Sequence, residues 1–140
     1  MKEILFRGKT KNRKVNEWIE GSLVRGVAGY DGSPVTFIYD LKTEVDGRGS
    51  IDNYWGEEVD PESVGQFSDV LDYKDEVKIF SGDIVKDITG DTGELFEVKY
   101  DTRLAAFIFI NLIDNSWDYL GYGLWEVVGN IHDNPELLEV

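Results

Sequence analysis

Apolar and polar residues alternate in short runs along most of this chain, and a period of two predicts strands rather than helices. Residues 2–7 and 15–24 read as two strands around a polar connection rich in Lys and Asn. In the second, Trp18 and Glu20 fall on one side and Glu17, Ile19 and Gly21 on the other. Gly29 to Pro34 is dense in turn residues, and Val35-Thr36-Phe37-Ile38-Tyr39, β-branched or aromatic throughout, follows as a strand. Asp46-Gly47-Arg48-Gly49 is a further turn before a short strand from Ile51 to Trp55. Glu57 to Glu62, a charge run containing Pro61, marks the boundary between two parts.

After that boundary, Ser63 to Phe67 leads into an acidic polar stretch, Ser68 to Glu76, expected as a loop or one helical turn. Val77 to Phe80, a turn at Ser81-Gly82, a strand to Lys86, and Leu95 to Tyr100 continue the β pattern. Leu104 to Ile113 is the most apolar stretch; its branched and aromatic content predicts a strand buried on both faces. Short pieces at Trp117–Tyr122 and Leu124–Val128 follow. Asn134-Pro135-Glu136-Leu137-Leu138 reads as an N-cap, a first-position proline and one helical turn that docks its leucines. No amphipathic pattern extends over three helical turns. The expected fold class is therefore all-β: an N-terminal β module, residues 1–62, and a C-terminal small β-barrel of the SH3-like kind, residues 63–140, closed by a short C-terminal helical turn. A shared form, x-Gly-polar-aliphatic-Val, at Glu20–Val24 and Ser81–Val85 supports two β modules.

Composition sharpens this picture. A hydrophobic content of 41% in 140 residues is burial material enough for a folded chain of one or two small domains. With no cysteine there is no disulfide framework, thiolate nucleophile or finger-type zinc site. No apolar run nears the roughly 20 residues that span a bilayer, and no signal-peptide pattern follows Met1, so a soluble protein of a reducing compartment is expected. Charge is unevenly placed: the formal net is −14, yet residues 1–14 carry +5 and the remainder −19. Residues 44–76 hold eleven acids against Arg48 and Lys74, and no Lys or Arg occurs after Arg103. Such a body repels phosphate backbones and anionic lipid, so neither direct nucleic-acid binding nor membrane binding is expected. Two partner classes fit better. The basic stretch from Lys9 to Lys14 can touch an acidic neighbour, including another copy, although a solvated hairpin turn explains it as well. An acidic face can also imitate DNA toward a DNA-binding protein.

Candidate reaction chemistry is sparse. His132, the one histidine, would need one of seven serines and an orienting acid to form a hydrolase triad, and no Gly-x-Ser-x-Gly elbow is present. Asp87 to Glu94 gathers three carboxylates, but their spacing does not match a calcium loop, and turn chemistry accounts for them. Glycoside chemistry needs two carboxylates at a fixed separation, and the sequence nominates no pair among 28 acids. No phosphate-cradling glycine loop appears. We therefore assign no catalytic, cofactor-binding or metal-binding residue and no cofactor. The aromatics Trp18, Tyr54, Trp55, Trp117, Tyr119, Tyr122 and Trp125 stand out, four of them between Trp117 and Trp125. They serve either as fillers of small β cores or as an exposed patch for a partner protein or another copy.

Several segments in order carry a resemblance: Met1 to Lys9, Glu17 to Leu23, Val59 to Phe67, Lys78 to Val85, and Trp125 to Leu138. Together they resemble the YopX-type proteins of phages and prophages of Gram-positive bacteria. The likeness runs over the whole chain, departing at Ser68 to Glu76 and matching poorly from Val27 to Trp55. It implies a β-rich fold with a barrel-like C-terminal part, phage origin and a bacterial host cytoplasm, and it brings no catalytic residue. The expectation is a non-enzymatic phage accessory protein acting through protein contact, with itself as a homo-oligomer or with a host or phage protein. The alternative is an acidic nucleic-acid mimic or regulator that engages a host DNA-binding protein.

Overall fold

A computed structural model describes residues 4–11, 17–27, 31–45, 51–89, 93–121 and 123–139, with the backbone alone described at 40–45 and 51–55. All strand pairings are antiparallel, and among the described residues the only helical pieces are two 3-10 turns, Pro61–Ser63 and Pro135–Leu138. The fold is all-β, as the alternation predicts. The chain forms two compact units, Glu3–Gln66 and Phe67–Val140.

In the first unit, β1 (Phe6–Lys9), β2 (Trp18–Val27), β3 (Pro34–Val45) and β4 (Ile51–Glu58) form a meander, and Gly65 and Gln66 at the start of β5 (Gly65–Leu71) pair with β1 on its other side. Of the strand expected at 2–7, residues 2 and 3 lie outside the described residues, Ile4 and Leu5 are not in a strand, and β1 runs Phe6–Lys9. The turns expected at 29–34 and 46–49 and the connection at 9–14 lie partly or wholly outside the described residues. Ile38 and Val59 are fully buried. Gly8 lies against both: a Cβ there would sit 2.9 Å from Val59 Cβ and 3.0 Å from Ile38 Cδ1. After β4 the chain is pinned by Val59 N–H donating to Thr36 and Asp60 N–H to Lys9. Asp60 caps the following 3-10 turn by accepting from Glu62 N–H, and buried Ser63 accepts from Lys9 N–H through Oγ at 2.8 Å. Pro61 thus opens a built turn.

The second unit departs from expectation first at Ser68–Glu76. Over Ser68–Leu71 the chain neither loops nor coils but continues β5, which pairs with β6 (Lys78–Phe80), and the expected loop is confined to residues 72–76. The register slips between Phe67 and Leu71, with Asp69 at φ 67°. Ser68 Oγ fills the gap in the ladder, donating to Ile79 C=O at 2.7 Å and accepting from Val70 N–H at 3.1 Å. Asp72 closes the hairpin by accepting from Glu76 and Val77 N–H. The acids make the turn instead of breaking the strand.

A five-stranded sheet completes this unit in the order β10-β9-β8-β7-β11, from β7 (Asp83–Asp87), β8 (Leu95–Asp101), β9 (Ala106–Asn111), β10 (Trp117–Tyr119) and β11 (Trp125–Asn130). The order does not conflict with the expected small barrel, and among the described residues no pairing joins β10 to β11. Ile79, Val85, Val98 and Trp125 form the core, packed by Val70, Phe96, Phe109, Leu120 and Val127. The apolar run 104–113 is the expected doubly buried strand only in its middle, where Ile108 is 4% exposed on one face of β9 and Phe109 packs on the core on the other, and not at its ends. Leu104 and Ala105 (φ 50°) lie in a turn, β9 covers only 106–111, and Ile113 is 67% exposed. The C-terminal turn forms with Asn134 at its N-cap position and Pro135 following, but the Asn134 side chain does not cap it: its Oδ1 accepts from Asn130 N–H, and the expected docking holds for half-buried Leu137 while Leu138 is exposed.

Candidate functional site

The Trp117–Trp125 aromatics divide into two populations. Trp125 is buried, with ring centroids 5.0 Å from Phe109 and 5.8 Å from Phe96, and its Nε1–H donates to Gly121 C=O at 3.2 Å. The buried indole therefore keeps a partner for its one donor. Gly123 makes room for it, because a Cβ there would meet the indole nitrogen at 2.8 Å. Trp117 and Tyr119 instead remain 51% and 54% exposed. Their rings meet edge to face, centroids 5.8 Å apart and planes at 83°. Tyr122 lies outside the described residues, as do the side chains of Tyr54 and Trp55; Trp18 is half-buried with the Arg7 guanidinium 4.7 Å from its ring centroid.

Register explains the division. Val98, Phe109 and Asp118 lie opposite one another across β8, β9 and β10, on the face that carries the core. Trp117 faces Ile110 and Tyr119 faces Ile108 on the alternate face. Hydrogen bonds from Asn111 N–H to Ser116 C=O and from Leu120 N–H to Phe107 C=O fix which residues of β10 bond to β9. By antiparallel alternation, the backbone N–H and C=O of Trp117 and Tyr119 point away from β9, to the outer side of an edge strand. Asp118 Oδ1 accepts from Tyr119 N–H at 2.7 Å, which sets its carboxylate at that edge. The hairpin before β10 is built by side chains. Asn111 Oδ1 accepts from Ile113 N–H, Asn115 takes φ 60°, and Asp114 Oδ1 accepts from Ser116 N–H and Oγ–H at 2.8 and 2.6 Å. The Ser116 hydroxyl and amide hold the Asp114 carboxyl below its ordinary range, so it stays charged. The site is an open strand edge with two aromatic rings on one face and two carboxylates beside it. Sequence reading found the rings and missed Asp114, Asp118, Ile108 and Ile110, for which strand alternation around Asp118 was the available signal.

The other candidates fall at turns. His132 is half-buried, its backbone N–H donating to Asn130 Oδ1 at 3.0 Å. Asp87 Oδ1 accepts from Thr89 N–H and Oγ1–H, which lowers its pKa; residues 90–92 of that loop lie outside the described residues. Among the described residues no group of three His, Cys, Asp or Glu could hold a metal ion. No helix among them is long and apolar enough to cross a membrane.

Fold and site together define an all-β protein whose most distinctive surface feature is an aromatic strand edge. The YopX protein family model matches residues 5–139, and the chain belongs to that family. A comparison with curated proteins gives no match.

Proposed function

We propose that the chain is a non-catalytic accessory protein of a phage or prophage, at work in the host cytoplasm, which acts by contact with another protein. The observation that carries this reading is the half-exposed Trp117–Tyr119 pair on an edge strand, while Trp125 of the same segment is buried. Large aromatics left in solvent beside open backbone groups are the composition of a recognition surface. Self-association belongs to the same reading, because the basic stretch 1–14 complements the acidic remainder of another copy. The mimic reading gains less support. Asp31, Asp60, Asp72, Asp87, Asp101 and Asp114 each accept the N–H of their own turn, which is the work of turn chemistry rather than of a phosphate-like array.

Pull-down from phage-infected host cells tests the contact. The wild-type chain retains a discrete protein and Trp117→Thr/Tyr119→Thr loses it; equal retention by both, or none by either, contradicts the reading. Sedimentation at low and high salt tests self-association: a salt-sensitive oligomer supports it, and a monomer at every concentration removes it.

A further inference from the structure

We infer that β10 is a docking edge for an extended segment of a different protein, one that alternates cationic and apolar side chains. This rests on the protein-contact reading and names the chemistry of the partner. Three observations point the same way. First, the outward N–H and C=O of Trp117 and the C=O of Tyr119 are strand-pairing groups, and β10 has a neighbour only in β9 among the described residues. Second, an added strand presents alternate side chains to the two faces. On one face it meets Trp117 and Tyr119, exposed and backed by Ile110 and Ile108, a platform for aliphatic groups. On the other it meets Asp118, with Asp114 in the adjoining hairpin. Third, no Lys or Arg occurs from residue 104 to residue 140, so the partner must supply the cations.

Charge also argues against a second copy as the occupant. Residues 67–140 are strongly acidic and repel their like. The chain's own described basic residues cannot supply that added strand, because β1, which carries Arg7 and Lys9, is already paired with β2 on one side and with β5 on the other. Thr10 N–H donates to Glu17 C=O and Lys11 N–H to Glu58 C=O, Lys11 Nζ sits 2.9 Å from Glu58, and Arg7 lies over Trp18. The three-residue length of β10 and the Asp118 carboxylate over the Tyr119 amide limit indiscriminate pairing, a usual protection of edges. A strand carrying Lys or Arg turns that same carboxylate into a contact.

The test is fluorescence anisotropy of the full chain with three labelled eight-residue probes: alternating Lys-Val, alternating Glu-Val, and a Lys block followed by a Val block. The alternating Lys-Val probe binds, more weakly as salt rises, and the other two bind at least tenfold less. Trp117→Thr/Tyr119→Thr, which keeps strand-forming residues, and Asp114→Asn/Asp118→Asn, which keeps the turn acceptors while removing charge, each weaken it at least tenfold. Glu62→Gln, an exposed acid of the first unit, leaves binding unchanged. Absence of wild-type binding, equal binding of the block probe, or unchanged binding by both β10 variants overturns the inference. So does a wild-type oligomer that Trp117→Thr/Tyr119→Thr turns into monomer, since the occupant is then a second copy. A host protein lost by Trp117→Thr/Tyr119→Thr but still retained by Asp114→Asn/Asp118→Asn would sink this inference while leaving protein contact intact, whereas probe binding without any retained protein would sink the contact reading.

Discussion

Two aspartates show how single acids are used in this chain. Asp83 is buried, and its Oδ2 accepts from Phe80 N–H at 2.8 Å across the Ser81-Gly82 turn, where Gly82 takes φ 94°. Removing that acceptor leaves a buried donor without its partner, so Asp83→Ala should cost about 1–3 kcal/mol in urea denaturation, and Asp83→Asn much less. The tryptophans give a second comparison. Trp125→Ala empties the centre of the second core and should cost about 3–5 kcal/mol. Trp117→Thr, at an exposed position, should shift stability by no more than about 0.5 kcal/mol. Equal losses for the two would contradict the division of the aromatics into core and surface. In the sequence the two are equivalent, each a Trp in a short β-like piece. Only the strand pairing separates them: Trp117 lies on β10 opposite Ile110, whereas Trp125 lies on β11 opposite Asp87 of β7 with its ring against Phe96 and Phe109.

Among the elements, strands were legible wherever branched and aromatic residues alternate. β2, β3, β7 and β8 fall near their expected places because each is rich in branched or aromatic residues. Ser68–Leu71 was not legible. Its strand depends on Ser68 Oγ replacing a ladder bond and on Asp69 adopting a left-handed conformation, both set by the neighbouring strand. Leu104 and Ile113 misled because apolar residues also occupy hairpin ends, where the neighbouring Asp101 and Asn111 side chains impose turns. Gly8 illustrates an element held by what it lacks. Gly8→Ala drives a methyl toward Val59 and Ile38 and should cost about 1–3 kcal/mol by overpacking, read as a lower urea midpoint. Gly129→Ala acts likewise at the C-terminal turn: its Cβ would lie 2.6 Å from Asn134 Oδ1. The predicted readout is faster hydrogen exchange at Asn130, whose N–H that oxygen accepts, with the rest of the unit protected.

For the whole molecule, acid pH acts through the turns. Backbone N–H groups of Val77 and Glu76 hold the Asp72 carboxyl below its ordinary value; hydroxyl and amide donors do the same for Asp31, Asp87 and Asp114. Groups depressed on folding contribute stability that is fully present above the unfolded carboxylate range, about pH 4, and is lost as pH falls through the folded values. Urea midpoints should therefore be flat with respect to these groups above about pH 5 and decline below about pH 4; Asp72→Asn should flatten part of that decline. Asp31, Asp60, Asp72, Asp83, Asp87, Asp101 and Asp114 serve as turn acceptors and also contribute to the formal net charge of −14. The central claim, that this protein works by presenting the β10 edge to another protein, is tested most directly by photo-crosslinking in infected host cells. A photoreactive phenylalanine analogue at position 119 should yield one discrete covalent adduct with another protein, while the same analogue at Glu62 yields none. No adduct from position 119, or the same adduct from both positions, would contradict the account.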